Sequence, residues 1–401
     1  MKIALFTETY YPDINGVAAH VDTLRDGLEQ LGHEVLIVTA DKHCKHHYIQ
    51  NGVLHCPSVA VKRFYGFGVA TPFSRKRKKM IADFAPDIIH IHHEFGIGLS
   101  GVFASKRLSV PLIYTLHTMY DQYIFYIAPR ILHGAATKFS HRYERYIASH
   151  AHALTGPSQK CDEYFKRIGI TKETSIIPNS ADLTLFGLDK VTPEQKKRAL
   201  EKHNIPQDKT LAIFVGRLGK EKSIDVLLEF WKNTIKAENN LHLVIVGGGP
   251  DEESLRLMAK GLGIDNQVSF TGMIPHDEIP AYFAACDAFV TASLSEMNSI
   301  SMLEGMASGL PTLQRYDQLN ASQIIEGVNG WLYQTQEEFA ELLLKIAAMT
   351  PEEKAAMKNT VYGSVVDRGQ SDLAKYMLGI YDKAIKEKEA SPARQRPILF
   401  R

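Results

Sequence analysis

Two doubly wound α/β domains facing a central cleft are the fold the sequence predicts, and three observations predict it. Short apolar runs recur along the chain with amphipathic segments between them, the pattern of parallel strands covered by helices on both faces. At 401 residues the chain exceeds one ordinary core, and domains of about 100 to 200 residues make two the natural number. The alternation lapses between Asn179 and Thr210, where Asp182-Leu183-Thr184-Leu185-Phe186 leads into a charged helical segment with Lys196, Lys197 and Arg198.

The elements follow in order. In the first half, Ile-Ala-Leu-Phe-Thr at 3–7 and Val-Leu-Ile-Val-Thr at 35–39 read as strands, as do 87–91, 112–116, 153–156 and 175–178. In the second half the strands are 211–216, 242–247, 268–272, 288–291, 311–314 and 331–333. The expected domains are therefore 1–185 and 186–370. A last helix at 371–390 is expected to pack back on the first domain, and the tail 391–401 to be disordered.

Composition restricts the function classes. Apolar content of 45% with 23% charged residues fits a soluble globular protein. Cys44, Cys56, Cys161 and Cys286 are scattered without CxxC spacing, which argues against a zinc site or a disulfide framework and for a reducing compartment. The N-terminus enters a strand at once, and no apolar run approaches the roughly 18 residues of a membrane span. A cytoplasmic protein, peripheral on the cytoplasmic face of a membrane, is expected.

Charge is distributed unevenly. Residues 1–182 carry 21 Lys and Arg against 16 Asp and Glu, leaving 25 against 29 of the chain's 46 and 45. The basic half contains Arg75-Lys76-Arg77-Lys78-Lys79 beside Phe73, Met80, Ile81 and Phe84, and Lys62-Arg63 beside Phe64, Tyr65 and Phe67. Such clusters dock on anionic bilayers, at about 1 kcal/mol per cation; a solvated helix face is the plainer alternative. A sequence pI near 7.7 gives no broad footprint for nucleic acid.

Two stretches carry chemistry. Ser295-Glu296-Met297-Asn298-Ser299-Ile300-Ser301-Met302-Leu303-Glu304 sets two glutamates around seven residues, and Val215-Gly216-Arg217-Leu218-Gly219-Lys220-Glu221-Lys222 runs from a strand end into a loop with two cations. Cations suit a diphosphate and carboxylates suit the paired hydroxyls of sugars, so together they equip the chain to hold a nucleotide-sugar. Gly16 lets a phosphate approach the first turn, and the amides of Ile300 and Ser301 open a helix N-terminus. Ligands of open parallel sheets bind at the carboxyl ends of the strands, which places these residues at the cleft.

Other clusters mislead. His90-Ile91-His92-His93-Glu94 looks like a metal nest, but alternation along a strand splits its side chains between faces. His43, Cys44, His46 and His47 fall in a surface loop. No metal and no cofactor are expected. Gly247-Gly248-Gly249 is not the GxGxxG of a dinucleotide enzyme, and Pro250 at a first helical position makes it a strand–turn–helix joint near the nucleotide.

Phe6-Thr7-Glu8-Thr9-Tyr10-Tyr11-Pro12, Asn15-Gly16-Val17, Tyr114-Thr115-Leu116-His117-Thr118-Met119-Tyr120-Asp121-Gln122-Tyr123, Ile177-Pro178-Asn179, Gly216-Arg217 to Lys222, Gly247 to Pro250 and the paired glutamates occur in that order. This set resembles the retaining GT-B glycosyltransferases that include bacterial diacylglycerol glucosyltransferases, phosphatidylinositol mannosyltransferases and sulfoquinovosyl transferases, over nearly the whole chain. The resemblance implies two Rossmann-like domains and a UDP-hexose as substrate. It also implies retention of anomeric configuration by attack on the face the diphosphate vacates, so no protein nucleophile is assigned.

The resemblance also implies roles. Arg217 and Lys222 would stabilise charge on the leaving diphosphate. Glu296 would hold donor-sugar hydroxyls and Glu304 the ribose, and His117 would face the sugar as the fourth catalytic candidate. Gly16, Gly272, Met273, Ser299, Ile300 and Ser301 complete the donor set. Alternatives stay open: Arg217 pairing with Glu221, Glu296 capping its helix, His117 satisfied by backbone. The chain departs from the pattern at Asn298-Ser299, at Ser180 after Pro178-Asn179, and at Thr312 to Asp317, which leaves the hexose open between glucose and galactose.

For the acceptor, Tyr120, Asp121 and Tyr123 fall in a run most similar to enzymes glycosylating membrane lipids. Ile131, Leu132, Phe139, Tyr143, Tyr146 and Ile147 interleave with Lys138, Arg142 and Arg145, compatible with a helix on a bilayer or one facing the core. Diacylglycerol or a glycosyl-diacylglycerol is the expected acceptor, with Arg75, Lys76, Arg77, Lys78 and Lys79 on the anionic membrane. A soluble cell-wall or capsule precursor, or an inactive partner subunit, are the competing readings; the oligomeric state is not indicated.

Overall fold

The computed structural model describes residues 1–12, 15–61, 68–119, 130–319, 321–366 and 370–390. The chain forms two units, Met1–Pro178 with the C-terminal helix, and Asn179–Gln370. The division precedes the expected 185/186 because Ala181 and Phe186 are buried in the second unit's core and Asn179 bonds to Asn298 within that unit.

In the first unit, β1 (Lys2–Thr7) lies between β2 (Glu34–Asp41) and β6 (Ile88–Ile91), all parallel, with Leu5 opposite Ile37 on one side and His90 on the other. Its apolar run is buried from Ile3 onward. The sheet continues through β7 (Leu112–Thr115), β8 (Ala153–Gly156) and β9 (Thr174–Ile176). At the other edge β3 (Tyr48–Gln50), β4 (Val53–Ala60) and β5 (Gly68–Ala70) extend it beyond the expected strands, with antiparallel pairing of β3 and β5 to β4. Exposure of β3 and Pro57 within β4 hide them in the sequence, since proline reads as a strand breaker.

The helices of this unit are α1 (Gly16–Gln30), α2 (Arg75–Phe84), α3 (Gly96–Leu108), α4 (His133–His150) and α5 (Gln159–Arg167). Asn15 caps α1 by accepting from the Ala18 amide at 2.9 Å. Glu8, just past β1, accepts from the amides of Ala70 and Ile97 at 3.0 and 2.8 Å, tying β1 to β5 and to the first turn of α3.

The second unit holds α6 (Pro193–Lys202), β10 (Thr210–Val215), α7 (Ile224–Thr234), β11 (Leu241–Val246), α8 (Glu252–Gly261), β12 (Val268–Gly272), α9 (Ile279–Ala285), β13 (Ala288–Thr291), α10 (Ile300–Ala307), β14 (Thr312–Arg315), β15 (Gly330–Tyr333), α11 (Gln336–Ala347) and α12 (Pro351–Gly363). Its six strands are all parallel in the order β12-β11-β10-β13-β14-β15. Gly247 (φ +133) lets β11 end against β10: a Cβ there would lie 1.9 Å from the Gly216 carbonyl oxygen. Pro250 is not the first helical residue as expected; α8 starts at Glu252.

The last helix, α13 (Gln370–Ala390), carries Leu373, Met377, Tyr381 and Ala384 on one stripe and buries them with Ile3, Leu5, Val21 and Leu24 of the first unit. Tyr381 also bonds to His90 Nδ1 at 2.7 Å.

Candidate active site

In the second unit the loops after β10 and β13 are joined. Glu221, buried in the loop after β10, offers its carbonyl to the Ser293 and Ser295 hydroxyls at 3.2 and 2.7 Å. That brings Lys222 Nζ within 2.6 Å of Glu296 Oε1, the side chains 20% and 10% exposed. Arg217 Nε donates to Glu221 Oε1 at 3.0 Å. The pairing of Arg217 with Glu221, one of the alternatives left open by the sequence, is thus present.

Glu296 does not cap α10. Ser299 caps it, its hydroxyl accepting from the Met302 amide at 3.4 Å. Gln323 holds Ser299 on both sides, accepting from its amide at 3.1 Å and donating to its carbonyl at 2.9 Å. Asn298 accepts from the Asn179 amide at 3.0 Å, and Asn179 Nδ2 donates to the Asn298 carbonyl at 2.7 Å. The Ser299 amide is therefore already bonded. In the first turn of α10 the amides of Ile300 and Ser301 have no acceptor within the helix by its geometry, and the dipole favours an anion there.

Glu304, two turns beyond Glu296 and buried, shares Oε1 with His276 Nε2 at 2.8 Å. Burial pushes the Glu304 carboxyl up, only partly offset by His276. Burial also disfavours the His276 cation, but the bond to Glu304 and its charge outweigh that and hold the imidazole above its ordinary 6.5. His276 was missed from sequence; its signal is a polar residue four positions past β12, at the carboxyl edge where ligands of such sheets bind. Gly272 (φ +73) ends β12 and its carbonyl accepts from the Gly247 amide at 3.0 Å, while the next residue, Met273, is 83% exposed.

In the first unit Gly16 is the first residue of α1. His117 follows β7 and places Nε2 3.1 Å from His92 Nδ1. Burial, then the neighbouring imidazoles, hold His117 well below the ordinary histidine range. Tyr120, Asp121 and Tyr123 lie outside the described residues, as do Lys62 to Phe67 and the tail from 391.

The basic run of α2 needs one correction. Arg75, Lys76 and Lys79 are exposed and Lys78 half-buried, but Arg77 is 0% exposed and its guanidinium donates to the Thr71 carbonyl. Helical periodicity turns position 77 inward with Ile81, so Arg77 braces the fold and is not a membrane cation.

Residues 195–362 match the family Glycosyl transferases group 1, and residues 14–185 match Glycosyltransferase Family 4. An alpha-monoglucosyldiacylglycerol synthase of Acholeplasma laidlawii is 30% identical over 86% of this chain and 88% of its own. The chain belongs to the GT-B glycosyltransferase family that contains the bacterial diacylglycerol glucosyltransferases. It is a hexosyltransferase. A GDP-mannose-dependent alpha-mannosyltransferase of Corynebacterium glutamicum is 25% identical to this glycosyltransferase over 83% of it and 76% of its own length. In fold, it is similar to the Anabaena protein HepE, solved with UDP and glucose, at a TM-score of 0.72 with 16% identity over 96% of this chain and 100% of that one. Two Rossmann-like domains are thus established for the glycosyltransferase.

Proposed function

We propose that this hexosyltransferase moves glucose or galactose from a UDP-sugar to a membrane lipid, diacylglycerol or a glycosyl-diacylglycerol, with retention at the anomeric carbon. The observation that carries the donor half is the Lys222–Glu296 contact beside Arg217, which sets two cations and a carboxylate on adjoining strand-end loops. Lys222 and Arg217 are assigned the diphosphate, whose charge grows as the sugar–oxygen bond breaks; cations fixed in advance stabilise that charge more in the transition state than in the ground state. Engaging it draws both cations from Glu296 and Glu221 and leaves Glu296 for the hexose hydroxyls. Ile300 and Ser301 are assigned phosphate oxygens, Glu304 with His276 the ribose diol, and the Gly272–Met273 turn and Gly16 the rest of the donor. His117, a neutral ring, is assigned a hydroxyl of the hexose.

The lipid half rests on the relative named alpha-monoglucosyldiacylglycerol synthase. Two surfaces of the first unit support it. Arg75, Lys76 and Lys79 are exposed near Phe73, and α4 exposes Phe139 with Lys138, Arg142 and Arg145, preceded by Ile131 and Leu132. Cations beside apolar side chains suit an anionic interface. No helix among the described residues is long and apolar enough to cross a membrane, so association is proposed to be peripheral.

The deciding measurement is nucleotide release from UDP-glucose, UDP-galactose and GDP-mannose, with and without anionic liposomes containing diacylglycerol. Lipid-stimulated release from one UDP-hexose is expected. Release from GDP-mannose alone would overturn the donor, and release only with soluble acceptors would overturn the lipid.

A further inference from the structure

Five histidines gather at the carboxyl edge of the first unit's sheet, and their contacts divide them. Both nitrogens of His90 are engaged, Nδ1 at 2.7 Å from the Tyr381 hydroxyl and Nε2 at 2.6 Å from Thr115 Oγ1. His93 turns to the other face, where Nδ1 meets Thr7 Oγ1 at 2.9 Å and the Glu8 amide at 3.2 Å. The remaining three converge from separate elements, His20 from α1, His92 from the end of β6 and His117 from the end of β7. One ligating atom from each lies within 4.8 Å of the others. The ring of His20 is 4.7 Å from that of His117 and 5.5 Å from that of His92.

We propose that His20, His92 and His117 form a binding site for a divalent transition-metal ion of the zinc class. Three imidazoles with a position left for water or substrate are a recurrent zinc donor set, with metal–nitrogen bonds of about 2.0–2.1 Å. Tetrahedral ligands at that distance sit about 3.4 Å apart; His92 Nδ1 and His117 Nε2 are already 3.1 Å apart, and only His20 has to draw inward. His92 Nδ1 has only His117 Nε2 as its hydrogen-bond partner, and His92 Nε2 is buried with none among the described residues, so this ring is not tied to other elements of the fold as His90 and His93 are. Alternation splits the His90–Glu94 run between faces, but this cluster takes one histidine from each of three elements.

The test is calorimetric titration of the full-length, metal-free protein with Zn2+, repeated with Co2+ followed by visible absorption, which reports four-coordinate nitrogen ligation. One equivalent bound at about 1 µM or tighter is expected, weakened at least about tenfold in His92→Asn and in His20→Gln. A variant with His43, His46 and His47 all changed to Gln should bind as the wild type does, since those residues lie in the loop between β2 and β3. No saturable binding below about 100 µM, unchanged binding in His92→Asn, or loss in the loop variant would overturn the site. Should the single variants not fold, a zinc-soaked crystal decides: an anomalous peak between the three rings supports the proposal, and its absence there refutes it.

Discussion

Replacing Lys222 by Met separates the chemical from the structural role of its pair with Glu296. The two side chains are 20% and 10% exposed at 2.6 Å, between open surface pairs worth about 0.2–1 kcal/mol and buried pairs whose breaking costs about 3–5 kcal/mol. Leaving Glu296 without its cation should therefore destabilise the second unit by about 1–2 kcal/mol. At about 2–4 °C per kcal/mol for a domain of 150–250 residues, the melt falls by about 2–8 °C. Turnover should fall further: one donor removed from a developing oxyanion costs about 10²–10³ in kcat, or about 2.7–4 kcal/mol. Loss of a cation that acts on the leaving diphosphate lowers kcat more than it raises KM. The assay is steady-state UDP release beside thermal melts. The double variant Lys222→Met/Glu296→Gln should regain stability, because no carboxylate is stranded, without regaining turnover. A kcat within about threefold of wild type in Lys222→Met, with the melt shifted, would refute the leaving-group role and leave a structural ion pair.

Four further predictions test the surroundings. His276 is held above its ordinary 6.5 and Glu304 above its ordinary 4.5. Both raised values mean that the folded unit retains protons the unfolded chain releases, so stability is greatest below the unfolded values and declines as pH rises through the folded ones; urea melts across pH 5–8 should show the decline, and His276→Gln should flatten its upper part. Neutralising Arg75, Lys76 and Lys79 together should cut partition onto anionic vesicles by about 100-fold, at about 1 kcal/mol per cation, with the melt unchanged. Arg77→Met should do the opposite, lowering the melt with little effect on vesicle binding per folded molecule. Gly247→Ala should cost about 2 kcal/mol or more, because φ is +133 and its Cβ would meet the Gly216 carbonyl at 1.9 Å; a urea midpoint equal to wild type would show that β10 and β11 have room to part.

What the sequence made legible was what depends on period and residue type. Continuous apolar runs such as Leu-Ala-Ile-Phe-Val marked the central parallel strands to within a residue or two, because strands buried on both faces leave no polar alternation. Edge strands escaped for the converse reason: β3 is exposed throughout, and β4 contains Pro57. Periodicity also carried information that was not used, since the spacing from Arg77 to Ile81 is the helical repeat that turns the arginine inward. Partner choice is the part that neither period nor type encodes. Arg217 could be assigned to a diphosphate from its place at a strand end, but its pairing with Glu221 depends on the turn between them. His20, His92 and His117 meet only because α1, β6 and β7 end at the same edge.

The departures at Asn298-Ser299 show the same limit most clearly. From sequence they leave the choice of hexose open. In the structure Asn298 exchanges two hydrogen bonds with Asn179, and Ser299 caps α10 while Gln323 clamps its backbone. These bonds span 119 and 24 residues of chain, and they fix the segment between Glu296 and the first turn of α10. In the roles proposed for them, a carboxylate holding sugar hydroxyls and amides meeting a phosphate need that segment rigid. We propose that the unusual pair orders the donor site through these bonds, and the expected consequence of Asn298→Ala is a looser loop with lower kcat and an unchanged preference among UDP-hexoses.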